Sequence, residues 1–270
     1  MVRLKKVLKI AAWVIFIAAL GFTMKFTADR HENRVMKFPE IIIESNADNA
    51  FLMVDDVKER LKYKNIKLEQ LKRNEINSDL IESIIMEMYE VQSACVHINL
   101  DDTWIVNMEL RKPISRIFNK KGDSFYLDEH GKKMPISPLY SAHVLPFTGE
   151  IDEIFDGSNV QELINSESLK TQSLLPQMYY LSEYVCKDPF LSGLIAQVFV
   201  NKKGDFVLIP IVGNHKIIFG NADTRARVKE KFEKLLVFYR DALPYAGWSK
   251  YESINLKYKK QVVCKKRIGE

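Results

Sequence analysis

The sequence predicts an α+β protein with a single N-terminal transmembrane helix. A small strand-helix-helix-strand-strand domain follows, then a larger, mostly antiparallel β domain carrying two or more helices. Three observations predict it. Ile10 to Met24 is an uninterrupted apolar run; between Phe38 and Leu110 the apolar spacing switches from a helical period to a period of two; and beyond Pro113 short apolar segments alternate with Gly- and Asn-containing turns.

The run Ile10 to Met24 covers about 23 Å as a helix, short of a hydrocarbon core of about 30 Å. Counting outward to Val7 and Phe26 gives a spanning length, provided Lys9 and Lys25 snorkel their ammonium groups into the headgroups. Ile10, Trp13, Phe16, Leu20 and Met24 are the expected anchor residues. No pair of small residues suited to signal cleavage stands in Lys25-Phe26-Thr27-Ala28-Asp29, so an uncleaved anchor is expected. Arg3, Lys5, Lys6 and Lys9 precede the run without an acid, whereas Lys25, Arg30, Arg34 and Lys37 are diluted by Asp29 and Glu32. The denser cluster puts the N-terminus inside. The expected organisation is a cytoplasmic tail (1–9), a transmembrane helix (10–26), a linker (27–37), a first domain (38–112) and a β domain (113–270).

Charged residues at 28% and hydrophobic ones at 47% are ordinary for a globular chain. The net charge of +5 is concentrated in the first nine residues and in the closing KYKKQVVCKKR, without the interleaved aromatics that single-stranded nucleic acid needs. A solvated basic end is the reading for Lys265, Lys266 and Arg267. Cys95, Cys186 and Cys264 form no CxxC, which excludes a zinc ribbon or thioredoxin-type pair, and buried free thiols are expected.

In the first domain, a strand at Ile41 to Ile43 and a polar turn lead to a helix capped by Asp55, with Val57 and Leu61 on one face. A second helix, capped by Asn77 or Ser78, carries the stripe Leu80, Ile81, Ile84, Ile85 and Met88. Val96, Ile98 and Leu100, an Asp-Asp-Thr turn, then Trp104, Val106, Met108 and Leu110 read as a β-hairpin. Beyond it, turns at Lys121-Gly122-Asp123 and Glu129-His130-Gly131 bracket a strand holding Phe125, Tyr126 and Leu127. Residues 151–170 read as an exposed loop around Asp156-Gly157-Ser158-Asn159. A helix at Leu174 to Cys186 tolerates Pro176 in its first turn. Strands Ile195 to Val200 and Phe206 to Val212 precede a helix capped by Asp223 or Thr224, buried through Val228, Phe232, Leu235, Leu236 and Tyr239 and ended by Pro244. One strand, Ile254 to Cys264, closes the chain.

No GxSxG, HExxH, GxGxxG or P-loop motif occurs, and His31, His97, His130, His143 and His215 include no i, i+4 pair. Asp152, Glu153 and Asp156 lack the alternation of a calcium loop. No catalytic, cofactor or metal residue is therefore assigned. His97 reads as a surface residue, Trp104 and Trp248 as packing, and Arg111-Lys112-Pro113 as the end of the hairpin, where proline cannot donate to a ladder.

Several blocks in joint order resemble one family, the FtsQ/DivIB cell-division proteins, most closely the version found in Bacteroidota. They are RKPISRIFNKKGDSFYLDEHGKKMPIS (111–137), LPFTGEI (145–151), FLSGLIAQVFVNKKGDFVLIPIVGNHKIIFG (190–220) and KFEKLLVFYRDALPYAGWSKYESINLKYKKQVVCKK (231–266), with the short basic tail before the anchor. The resemblance implies a polypeptide-transport-associated (POTRA) domain after the anchor and a non-enzymatic, single-pass type II protein of the inner membrane. Its ectodomain would be periplasmic and enriched at the septum. FtsB-like and FtsL-like bitopic partners, and through them the septal peptidoglycan synthase, are the implied company; nucleic acid is not. In the family the partner adds a strand at the edge of the last strand, which here matches Leu256, Lys257, Tyr258, Lys259, Lys260, Gln261, Val262 and Val263. Tyr258 would supply a flat contact and Lys257 a charge for an acidic partner residue. Where the commoner proteobacterial pattern has Gly and Ala after the tyrosine, Lys260 and Gln261 stand. Two rivals are a POTRA component of outer-membrane protein assembly or secretion, which needs a barrel that the sequence does not display, and an envelope enzyme such as a peptidoglycan hydrolase.

Overall fold

The computed structural model describes residues 2–44, 51–166 and 173–267. Helix α1 (Val2–Glu32) runs on through half of the expected linker. Within it Ala11–Arg30 is long and apolar enough to cross a membrane, and none of that window is buried in the protein. Trp13, Phe16, Leu20 and Met24 are all exposed, while the side chain of Ile10 lies outside the described set. A bare apolar helix of this kind is satisfied by lipid, because its backbone bonds are internal. Its hydroxyls are satisfied too, Thr23 and Thr27 donating to the carbonyls of Leu20 and Thr23 at 2.9 and 2.7 Å.

Beyond α1 the chain is α+β and divides into two compact units between Leu110 and Arg111, with Phe51 belonging to the second. The first unit holds β1 (Glu40–Glu44), α2 (Val54–Tyr63), a 3-10 turn (Arg73–Glu75), α3 (Ser78–Met86), β2 (Val91–Ile98) and β3 (Trp104–Leu110). Its sheet has the order β1-β3-β2, with β1 parallel and β2 antiparallel to β3. Val57 and Leu61 of α2 and Ile81, Ile84 and Ile85 of α3 pack on Trp104, Val106, Met108 and Leu110 of β3. The indole N–H of Trp104 is satisfied by the carbonyl of Lys37 at 2.9 Å. Three local expectations change. Met53, not Asp55, caps α2, its N–H donating to the Asp56 carboxylate at 2.8 Å. Leu80 faces outward, because the Asn77 cap that accepts its N–H at 3.0 Å turns the buried stripe toward Ile81. Leu100 is exposed in the hairpin turn. The polar turn before α2 lies outside the described residues, apart from Phe51.

In the second unit, β4 (Pro113–Phe118), β5 (Ser124–Asp128) and β6 (Lys133–Met134) form the expected meander. Then come β7 (Leu145–Gly149), α4 (Val160–Asn165), α5 (Leu175–Lys187), α6 (Pro189–Leu194), β8 (Ile195–Val200), β9 (Phe206–Pro210), β10 (Lys216–Gly220), α7 (Arg225–Asp241), α8 (Leu243–Ala246), β11 (Tyr251–Asn255) and β12 (Val263–Lys266). Nine strands make one mixed sheet in the order β12-β11-β10-β9-β8-β7-β4-β5-β6. Five neighbouring pairs are antiparallel, and β4/β7, β7/β8 and β10/β11 are parallel. Met178, Leu181 and Val185 of α5 and Val228, Phe232 and Leu235 of α7 bury against Phe147, Val198, Leu208, Ile217 and Ile254 of the sheet. Gly149, at φ +104°, has the carbonyl of Val200 where a Cβ would stand, so β7 and β8 approach there only as a glycine allows.

Residues 151–166 are not the exposed loop expected. Ile151 and Val160 are fully buried, and α4 starts where Asn159 accepts the N–H of Gln161 at 2.9 Å. Residues 167–170 of that expectation lie outside the described set. The three cysteines are free, but Cys95 and Cys186 are exposed and Cys264 is half-buried, contrary to the expected buried thiols. The expected closing strand is broken in two: β11 and β12 pair antiparallel around a turn, with Asn255 opposite Val263 and Ile254 opposite Cys264.

Candidate functional site

That break moves the candidate site. Of the eight residues expected on an edge strand, only Val263 lies in β12; Leu256 to Val262 form the connection between β11 and β12. Its shape follows from its sequence. Leu256 is fully buried and its N–H donates to the Ile218 carbonyl at 2.9 Å, so the connection is pinned to β10. Asn255 accepts the N–H of Lys257 at 2.9 Å, which turns the chain out of β11. Lys260 then takes φ +58°, the left-handed conformation that glycine adopts at least cost.

The side chains of this turn are distributed over two hollows against α7. On one side Lys257 pairs with Asp205 at 2.8 Å, and Lys234 donates to the Tyr258 carbonyl at 3.1 Å. Here lies a polar hollow of about 370 Å³, and Lys231 of α7 reaches into its wall. Lys231 is buried, donating to the carbonyls of Phe219 at 2.8 Å and Asn221 at 2.7 Å. Burial first, then the neighbouring Arg227 charge, bring its ammonium down to about 8. On the other side Lys260, Gln261 and Val262 face Val237 and Phe238 across a more apolar groove of about 550 Å³. Tyr258 is half-exposed, available as a flat contact.

Beyond the turn, β12 stands at the end of the strand order, so one of its two backbone edges faces no other strand among the described residues. Successive residues of an antiparallel strand direct their N–H and C=O to opposite edges, and half of those in β12 therefore point away from β11. The side chains of Val263, Lys265 and Lys266 are exposed, Lys265 pairing with Glu252 at 2.7 Å. Chemically, the arrangement offers unpaired peptide groups, an aromatic face and a basic rim. No group of metal-ligating side chains occurs among the described residues.

The other residues weighed from sequence are dispersed. Asp152 pairs with Lys120 at 2.8 Å, Glu153 accepts from the Ser173 hydroxyl at 2.7 Å, and Asp156 pairs with Lys133 at 2.9 Å. His97 is exposed, whereas His215 is buried against the Tyr239 hydroxyl, which no sequence pattern foretold. Trp248 is half-exposed and meets Tyr239 edge-on, so it is only partly packing. Arg111 closes on the buried carboxylate of Asp128 at 2.9 Å.

Comparison with known proteins bears on this unit. A family model described as FtsQ/DivIB, C-terminal related matches residues 112–265, from the residue before β4 into β12. No curated protein matches the chain.

Proposed function

The chain belongs to the FtsQ/DivIB C-terminal-related family, and from that membership we propose that it is a noncatalytic bitopic scaffold of the cell-division machinery, anchored by α1. Its role in cell division comes with the family; what it holds there is the reading put forward here. The N-terminus lies in the cytoplasm, both units lie in the periplasm, and the protein collects at the septum. FtsB-like and FtsL-like bitopic proteins bind the second unit, and the septal peptidoglycan synthase is controlled through them. The first unit serves as a POTRA domain, a reading supported by its β1-β3-β2 sheet with two helices between β1 and β2.

The observation that carries the proposal is the open edge of β12. An extended partner segment satisfies its peptide groups by strand addition, and alternate side chains set specificity. Lys265 and Lys266 at that edge favour an acidic partner segment. The turn 256–262 contributes beside the strand rather than as the strand, with Tyr258 as a contact and Lys257 already engaged by Asp205. Anchorage of all components in one membrane raises their effective concentration, so a small contact suffices.

Crosslinked affinity purification of the tagged full-length protein from native membranes tests this. Small bitopic coiled-coil proteins and a septal transpeptidase are expected to dominate the co-purified chains. Outer-membrane barrels or their lipoproteins in their place would contradict the proposal.

A further inference from the structure

At the end of the sheet where β12 finishes, the second unit exposes an aromatic and aliphatic patch that its core does not use. Phe190 of α6, Ile211 and Val212 after β9, Tyr245 of α8 and Trp248 before β11 are all substantially exposed, Tyr245 to 90% and Ile211 to 65%. These segments converge at one end of the sheet. Strands β4, β7 and β8 run together, β9 returns, and β10 and β11 run with β8 again. The segments entering β8, β10 and β11 therefore share the end at which the chain enters β4.

The patch is built on a fixed platform. Phe190 and Trp248 stand against the buried ring of Tyr239, with centroids 6.5 and 5.6 Å away, and His215 holds the Tyr239 hydroxyl from beneath. The Ile211 N–H donates to the Leu194 carbonyl at 2.8 Å, and the Arg267 N–H to the Lys250 carbonyl at 3.0 Å. The side chains are thus presented by ordered backbone.

Around it the exposed charge is mostly basic. Lys216, Lys250, Lys266 and Arg267 are exposed. The nearby acids are engaged: Glu252 pairs with Lys265 at 2.7 Å, Asp241 with Arg240 at 2.7 Å, and Asp188 caps α6 by accepting the N–H groups of Phe190 and Leu191. Tryptophan and tyrosine beside exposed aliphatics, ringed by lysine and arginine, match the interfacial zone of an anionic bilayer. The rings sit at headgroup depth and the cations meet lipid phosphates.

We propose that this end of the second unit docks on the anionic surface of the membrane in which α1 is anchored. The tether keeps the surface near, so a modest contact is occupied much of the time. Docking would orient the unit and, with it, the direction in which the β12 edge is offered. The inference rests on α1 being a membrane anchor and is independent of the division partners.

The test uses the full-length chain in nanodiscs made of lipids brominated high on the acyl chain. One set is phosphatidylcholine alone and the other equal parts phosphatidylcholine and phosphatidylglycerol. In the unmodified chain, quenching of Trp13 reports insertion of α1. In Trp13→Phe only Trp104 and Trp248 remain, and Trp104 is buried in the first unit. The expected result is several-fold quenching of Trp248 in the mixed discs, little in phosphatidylcholine, and loss at high salt. Ile211→Asp, at an exposed position that leaves the fold intact by circular dichroism, should abolish it. Unquenched Trp248 in mixed discs that quench Trp13 would overturn the proposal. So would equal quenching in both lipid compositions, or protection of Trp248 only when another membrane protein is added back.

Discussion

At one edge of the nine-stranded sheet, β6 is two residues long and both are buried. The segment before α4 lies along it, with the Lys133 N–H donating to the Ser158 carbonyl at 3.1 Å and Lys132 bridging to Asn159. At the other edge, β12 is four residues long, carries exposed lysines and has no strand beyond it among the described residues. An unpaired edge is a template for other chains, so a soluble domain either covers it or reserves it. This sheet covers one edge and leaves the other open, and the covered edge is the costlier to build. It holds Lys133, 3% exposed, between the Ile154 carbonyl and the Asp156 carboxylate, and Asp128 with no exposure at all. Lysines at β12 cost little and deter promiscuous pairing.

The largest effect is expected at the covered edge. The Asp128 carboxylate accepts from the guanidinium of Arg111 at 2.9 Å and from the N–H groups of His130 and Lys132 at 2.9 and 2.6 Å. Asp128→Ala takes the acceptor from two turn N–H groups and the fully buried partner from the Arg111 guanidinium, and should cost about 3–5 kcal/mol in a denaturant titration. A loss below about 1 kcal/mol would mean that the edge is not held by this carboxylate.

Lys133→Met comes next, at about 1–3 kcal/mol, since the Ile154 carbonyl loses its donor. This change also has a pH signature. Burial pushes the Asp156 carboxyl up, but the Ser158 hydroxyl and then the Lys133 ammonium outweigh it and hold the group at about 2, below its usual 3.8. Its contribution to stability is complete above pH 3.8 and fades as the pH falls from there to about 2. In Lys133→Met that fade should shrink, seen as a flatter slope of unfolding midpoint against pH over this window.

At the open edge, Cys264→Pro and Lys265→Pro form a matched pair, because neighbouring N–H groups face opposite edges. One variant loses a bond to β11 and the other loses only a donor offered outward. The second should fold normally yet bind the co-purified partners at least tenfold more weakly, about 1.4 kcal/mol. Two folded variants with unchanged binding would remove β12 from the interface. Smallest is Lys260→Gly, which relieves the left-handed residue of the β11–β12 turn at an entropic cost, for a net gain under about 1 kcal/mol by thermal melt.

These two edges were unequally legible in the sequence. The covered one shows in outline: Glu129-His130-Gly131 marks the turn from β5 to β6, and Gly131 has φ +80°. Its seal did not show, because a polar stretch such as Asp156 to Asn159 reads as solvated when its partners are distant in sequence. The open edge was placed in the right part of the chain but in the wrong element. Leu256, Tyr258 and Val262 alternate as a strand should, yet Asn255 and the left-handed Lys260 fold that run into a turn. Periodicity of two records which side chains face inward, and a pinned turn can mimic it. Helices with long buried stripes, such as α7, were clear because their signal is local. Strand β10 and the short helices α4 and α6 were missed because each is defined by neighbours rather than by its own pattern.

The most direct test of the account is amide hydrogen exchange on the full-length protein in nanodiscs, with and without its co-purified partners. Without partners, Lys133 and Met134 should be protected while half of the amides in Val263–Lys266 exchange quickly. With partners, those fast amides should become protected and the β6 edge should not change. Equal protection of β12 in both states, or new protection at β6 alone, would contradict the claim that this sheet closes one edge on itself and keeps the other for a partner strand.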